Sequence, residues 1–328
     1  MQGWKYYFVA FIGVALLLAT LALVLWLSVA EPYYRQQRLL NALAEKVNVG
    51  IHAKEPVAGF WPELFGCVTQ HYVSLSSYSE KERTFLDAND IRSLAAQPEL
   101  DQIQFFRIDF DETEMRHFLS SREFLRLFFY ETNLNDEMVH GFLPSQKMIN
   151  LDLCQTEITE SALIELLGKY PNLELLKIAV QDGFEYGGKT VRELENFSQL
   201  KVLQLNGLSV CAEDLAFLRR LTGLKLLYLE DCDFADADLA RLEPFPNVAG
   251  LNLSGTKTTD AGLENVAKNF PCLTHLYLAG TAVTDAGLEH LKPLPLYSAD
   301  VSNTAVTEAG VRLLKKIPTV KHVNVKGL

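Results

Sequence analysis

Apolar and polar positions along this chain recur in a unit of nearly fixed length. The clearest copies are Leu251-Asn-Leu253-Ser-Gly-Thr256-Lys-Thr-Thr259-Asp260-Ala-Gly262-Leu263 and Leu276-Tyr-Leu278-Ala-Gly-Thr281-Ala-Val-Thr284-Asp285-Ala-Gly287-Leu288, with a third at Ala299-Asp-Val301-Ser-Asn-Thr304-Ala-Val-Thr307-Glu308-Ala-Gly310-Val311. Carried upstream and downstream, the leading apolar position falls at Leu100, Phe124, Met148, Leu173, Leu200, Leu224, Val248, Leu273, Leu296 and Val320, an almost constant spacing. A period held this tightly predicts a solenoid, in which each unit buries its apolar face against its neighbours.

Each unit contains the same predicted elements. The L-x-x-L-x-L segment alternates with period two, which predicts a short strand with its leucines inward. The threonine after it (Thr132, Thr156, Thr256, Thr281, Thr304) can hydrogen-bond turn backbone that would otherwise be buried and unpaired. Asp260, Asp285 and Glu308 stand where a helix begins, at its positive end. Leu288 and Leu291, three apart, place one helical face inward. Pro171, Pro246, Pro271, Pro295 and Pro318 end the units, because proline cannot continue a helix.

These residues resemble the leucine-rich repeat family over about residues 70–328, ten to eleven repeats. The T-x-V-T-D-A-G-L wording is similar to the bacterial form of these repeats and to the cysteine-containing repeats that accompany F-box proteins. The resemblance implies an α/β solenoid, with short parallel strands lining a concave face that binds a partner and helices on the convex side. Units from Leu100 to Phe142 match by register alone, with Phe and Ile replacing Leu. The unit starting at Leu173 carries extra residues around Gln181–Gly188, expected to bulge as a loop.

Ahead of the repeats, the run Tyr6–Ala30 contains no Asp, Glu, Lys or Arg. About 20 helical residues cross ~30 Å of hydrocarbon, so this run reads as a transmembrane helix behind a tail of residues 1–5. Trp4, Tyr6 and Tyr7 at one end and Trp26, Tyr33 and Tyr34 at the other suit an interfacial belt. A cleaved signal peptide is the competing reading: Ser28-Val29-Ala30 is a small-x-small site, but the run exceeds the ~7–15 apolar residues of such signals. Flanking charges are nearly balanced. A short N-terminal tail before a large C-terminal domain is the layout of a signal-anchor, which favours an extracytoplasmic solenoid on a single-pass membrane protein. Residues 31–69 then read as a juxtamembrane helix (Leu39, Leu40, Leu43, Val47) and a cap over the first repeat, built around Phe60, Trp61, Leu64 and Phe65. Tyr72, Val73 and Leu75 with Ile91 and Leu94 read as a degenerate first repeat with an insertion at Tyr78–Arg83.

The chain has 328 residues, 30 basic against 41 acidic, for a net charge of −11. That balance argues against nucleic acid, whose binding needs clustered Lys and Arg. Five cysteines are too few for a disulfide scaffold. There is no G-x-S-x-G, H-E-x-x-H or C-x-x-C, and no catalytic residue, cofactor, metal or small-molecule substrate is expected. His275 and His322 share a column two strands apart, too far to ligate one zinc ion. Asp231, Asp233, Asp236 and Asp238 do not establish the convergent oxygens that calcium needs. Cys232 takes the threonine position, as a packed thiol.

Strand alternation predicts a central outward column of Ser74, Gln104, Phe128, Asp152, Lys177, Gln204, Tyr228, Asn252, Tyr277, Asp300 and Asn324. Arg126 falls in the column before it, and Phe106, Tyr130, Glu230 and Lys326 in the column after. Aromatic side chains beside arginine have the composition of a binding hot spot. Phe106, Arg126, Phe128, Tyr130, Tyr228 and Tyr277 are therefore the expected partner-binding residues, unless the N-terminal segment folds over the first four. The expected function is a membrane-anchored module that binds a protein through its concave face. The alternatives are a substrate-recognition subunit of an intracellular assembly, suggested by the F-box-associated repeats and by the F-box-like start at Phe60-Trp-Pro-Glu-Leu64, and a structural envelope protein.

Overall fold

The computed structural model describes residues 20, 23, 38, 41–52, 72–78, 82–97, 100–180 and 184–327. The segment read as a transmembrane helix lies outside them apart from Thr20 and Leu23. Among the described residues no helix is long and apolar enough to cross a membrane.

The strands form one twelve-stranded sheet. At its N-terminal edge β1 (Asn48–His52) runs antiparallel to β2 (Tyr72–Ser76). From β2 onward every pairing is parallel, through β4 (Gln102–Phe106), β6 (Arg126–Tyr130), β7 (Asn150–Cys154), β8 (Leu175–Ala179), β9 (Val202–Asn206), β10 (Leu226–Tyr228), β11 (Gly250–Asn252), β12 (His275–Tyr277), β13 (Ser298–Asp300) and β14 (His322–Asn324). Two short strands, β3 (Thr84–Leu86) and β5 (Ile108–Phe110), pair separately where the first two repeats turn toward their helices.

Inward positions of the strands and one face of the helices merge into a single core from Leu43 to Ile317. Its N-terminal part is filled by Phe105, Phe110, Phe118, Phe124, Phe129 and Phe142, and its C-terminal part mostly by Leu and Val. Leu43 and Val47 are buried in it, Lys46 Nζ donates to Asp87 and Asp90, and Tyr78 Oη donates to the carbonyl of Ala44. Residues 41–52 thus close the first repeat. Residues 53–71, which include the aromatics expected to cap it, lie outside the described ones.

Two devices recur along the solenoid, and the sequence pattern shows each only in part. At the end of the strand the backbone enters the left-handed region, at Arg107, Glu131, Gln155, Gly207, Asp231, Gly255, Gly280, Asn303 and Gly327. The N–H there continues the inter-strand ladder past the strand, as from Arg107 to the carbonyl of Tyr130 (2.8 Å) and from Gly280 to that of Ser302 (2.9 Å). The second device is the T-D-A-G wording. Thr259 and Thr307 cap the helices Asp260–Asn269 and Glu308–Leu314. The aspartate reaches across to the next repeat: Asp260 accepts from the N–H and hydroxyl of Thr284 (2.7 and 2.6 Å), and Asp285 from those of Thr307 (2.8 and 2.6 Å). Asp136–Thr159 and Asp236–Thr259 repeat the clamp. The glycine makes room for it, since a Cβ at Gly262, Gly287 or Gly310 would fall 2.2–2.3 Å from the preceding repeat's carboxylate. The role expected from the helix dipole is therefore joined by an inter-repeat one.

Three smaller expectations meet the structure. Each strand-following threonine bonds turn backbone: Thr256, Thr281 and Thr304 donate to the carbonyls three residues back at 2.6–2.7 Å. Cys232 is buried and donates its thiol to the carbonyl of Leu205, and burial pushes its pKa up to about 12. The expected bulge at Gln181–Gly188 is corrected for its second half. Tyr186 is buried with its hydroxyl on the carbonyl of Ile158 (2.7 Å), and Gly187 N–H donates to Glu160 (2.9 Å), so a ring and a carboxylate hold that part against the previous repeat. Residues 181–183 lie outside the described ones.

Candidate functional site

The central column is in register through the pairs Ser74–Gln104, Gln104–Phe128, Phe128–Asp152, Asp152–Lys177, Lys177–Gln204, Gln204–Tyr228, Tyr228–Asn252, Asn252–Tyr277, Tyr277–Asp300 and Asp300–Asn324. Side chains then divide it. Asp152, Asn252 and Asp300 accept from the backbone N–H two residues on (3.2, 2.9 and 2.9 Å) and so serve their own turns. Lys177 pairs with Asp152 at 3.6 Å. The carboxyl of Asp152 is buried, and that burial raises its pKa against the opposing pull of the Cys154 hydrogen bond and Lys177.

The aromatic candidates are half-buried on the strands that carry them. Phe106 and Tyr130 stack with ring centroids 4.9 Å apart and planes 8° from parallel. Phe128 lies on the same strand as Tyr130, and Arg126 two residues before it. The Nε of Arg126 is buried without a hydrogen-bond partner among the described residues. Burial is the main reason that the pKa of Tyr130 is raised. Tyr228 and Tyr277 lie two strands apart with Asn252 between them. Burial, then the neighbouring Tyr277, raises Tyr228. At ~4.8 Å per strand, Tyr228 is ~19 Å from Phe128. The six expected residues thus form two patches: Phe106, Arg126, Phe128 and Tyr130, and separately Tyr228 and Tyr277.

Between the patches, at the ends of β6 to β10, lies a groove of about 540 Å³ that pattern reading did not find. Tyr130, Phe184, Gln204, Asn206, Glu230 and Asp231 are among its lining, and no lysine or arginine is. Glu230 accepts from the amides of Asn206 (3.1 Å) and Asn252 (3.2 Å). Burial, then Asp231, raises its pKa. Following the outward column one residue beyond Glu230, onto the left-handed Asp231, and giving weight to Phe184 in the longest unit would have pointed to it.

The remaining candidates take structural or surface roles. His275 and His322 lie in one row with Ser298 between them, and the ring of Tyr297 is 5.7 Å from one and 5.2 Å from the other. Asp236 clamps Thr259, Asp238 accepts from the N–H groups of Ala235 and Ala212, and Asp233 pairs with Lys257. Among the described residues no group of three or more His, Cys, Asp or Glu side chains is placed to hold a metal ion.

No protein-family model and no curated protein matches the sequence. Solved structures do resemble the fold. An internalin (inlF) of Listeria monocytogenes is 16% identical, covering 73% of this chain and 71% of its own with a TM-score of 0.51. The yeast Rad7–Elc1 complex gives 17% identity, 72% and 71% coverage and a TM-score of 0.51. Both are leucine-rich-repeat structures, and at these identities the likeness concerns the fold alone: with the parallel sheet, it shows a leucine-rich-repeat solenoid fold.

Proposed function

We propose that this protein is a membrane-tethered interaction module. Tyr6–Ala30 spans the bilayer behind residues 1–5, residues 31–69 form the juxtamembrane and capping segment, and residues 70–328 are the repeat domain, held outside the cytoplasm. The repeats are of the bacterial T-x-V-T-D-A-G-L type, and the concave face takes up a protein partner without catalysis. One observation carries this reading: Phe106, Phe128 and Tyr130 stand half-exposed beside Arg126 on adjacent, fully paired strands. Large rings already fixed on a rigid sheet lose little entropy on binding, and aromatic and arginine side chains dominate interface energetics.

The test is site-specific photo-crosslinking in intact cells, with the crosslinker at Gln104 on the concave face or at Lys268 on a helix. A discrete adduct from Gln104 and none from Lys268 is expected. The double change Phe128→Ala and Tyr130→Ala should reduce the adduct about tenfold or more. Equal adducts from both faces, or an adduct indifferent to the double change, rejects the concave-face reading. Digestion of the repeats by protease added outside intact cells is expected from the exported topology.

The second reading, a recognition subunit of an intracellular assembly, draws on the yeast neighbour, which is a complex of Rad7 with Elc1. Protection of the repeats until lysis would favour it over the exported module.

A further inference from the structure

The groove between the two aromatic patches combines an acceptor-rich lining with negative charge. Glu230 and Asp231 both line it, and neither has an ion-pair partner among the described residues. One oxygen of Glu230, Oε2, already holds the amides of Asn206 and Asn252. This fixes the orientation of the Asn206 amide, because turning its oxygen toward a carboxylate would set two acceptors against each other. The second oxygen of Glu230, Oε1, has no hydrogen-bond partner among the described residues and remains as an acceptor on the groove side of this arrangement. Gln204 and Gln155 add further amides to the lining, and the rings of Tyr130 and Phe184 provide flat apolar surface.

An occupant that suits this lining has several hydrogen-bond donors, no acceptor, a positive charge and a flat face. Arginine is the side chain with all four properties, and it carries five donors in a rigid fork. We propose that the groove is a receptor for the guanidinium of an arginine on the protein partner. In it the second oxygen of Glu230 accepts a charge-assisted hydrogen bond, Asp231 adds countercharge, and the aromatic rings bear on the guanidinium plane. The partner is thereby specified as one that presents an exposed arginine beside the apolar surface covering Phe128 and Tyr130. This deepens the concave-face reading of the previous subsection and rests on it.

The experiment uses the full chain in detergent micelles, selectively labelled with 15N at Asn and Gly. It is titrated with N-acetyl-arginine amide and, separately, with the neutral isostere N-acetyl-citrulline amide. The expected result is that arginine shifts the Asn206 side-chain amide and the Gly207 backbone amide, and citrulline does not. Glu230→Gln keeps the acceptor for the two asparagines and should weaken arginine binding about tenfold or more, as for loss of a charge-assisted hydrogen bond. Asp231→Asn should weaken it less, because its charge alone is removed. The proposal is overturned if arginine leaves both resonances unmoved at its solubility limit, if citrulline moves them equally, or if Glu230→Gln binds as well as the parent. Either of the last two results would mean that the groove holds solvent or any polar group. The crosslinking test separates the two claims. An adduct sensitive to the change at Phe128 and Tyr130, with no arginine response, would leave the concave interface standing and remove only its arginine.

Discussion

From Gly250 to Val311 the turn out of each strand is made by Gly255, Gly280 and Asn303, and the aspartate clamp recurs at Asp260 and Asp285. From Leu100 to Phe142 the same turns are made by Arg107 and Glu131, which pair with each other at 3.3 Å. A left-handed conformation costs a residue with a Cβ about 1–2 kcal/mol, so the N-terminal repeats carry a strain that the C-terminal ones largely avoid. They offset it with aromatic packing and a side-chain brace. Phe129 lies 5.3 Å from Phe105, 6.1 Å from Phe110 and 6.2 Å from Phe142 between ring centroids. Arg122 donates to the carbonyls of Ala95, Gln97 and Leu100 and lies over the ring of Phe118. The same region carries Phe106, Phe128 and Tyr130 outward. One solenoid thus contains a regular half that propagates the repeat and a more strained half that displays aromatic rings.

The largest test of this contrast is Phe129→Ala, which leaves a cavity among three rings. A loss of about 3–5 kcal/mol is expected. Because repeats couple mainly to their neighbours, hydrogen exchange should rise first in β4 to β7 and leave β11 to β14 protected. Uniform exposure of the whole chain would break the comparison. Gly287→Ala attacks the regular half. Its Cβ would lie 2.3 Å from Asp260 Oδ1 and 2.8 Å from Asp260 Cα, so backbone must yield. A loss of about 1–3 kcal/mol in denaturant unfolding is expected.

Exchanging the turn residues sharpens the comparison. In Gly280→Gln the added Cβ meets nothing closer than 3.9 Å, so the cost of about 1 kcal/mol should be mainly conformational. The converse, Gln155→Gly, should stabilise by about 0.5 kcal/mol, the relieved strain being partly cancelled by freedom gained in the unfolded chain. Equal signs for the two changes would refute the strain argument. The smallest effect concerns pH. The Thr307 hydroxyl and nearby N–H groups lower the pKa of Asp285 in the folded state. Its contribution is therefore present above the usual carboxylate range and lost as pH falls through the lowered value. Asp285→Asn should remove that part of the acid slope and cost below about 1 kcal/mol at neutral pH.

The fold was legible because a solenoid writes its geometry into a period. Leucines two apart mark an inward strand face whichever repeat they occupy, and the outward column of Gln104, Phe128 and Tyr228 follows from the same alternation. The site was legible only as a list. That Tyr228 and Tyr277 stand apart from Phe128 follows from counting strands, but the groove between them depends on where Phe184, Asn206 and Glu230 converge.

What this sequence determines by itself is the repeat unit, its register and which side chains face out, because those properties are local and periodic. The tertiary structure decides what happens between units: an aspartate from one repeat holding the threonine of the next, a glycine kept small by a neighbour's carboxylate, and a glutamate held by the asparagines of both neighbouring repeats at the edge of a groove. Each of these depends on atoms a full repeat apart in the chain and close together in space, a proximity that only the stacking of repeats creates.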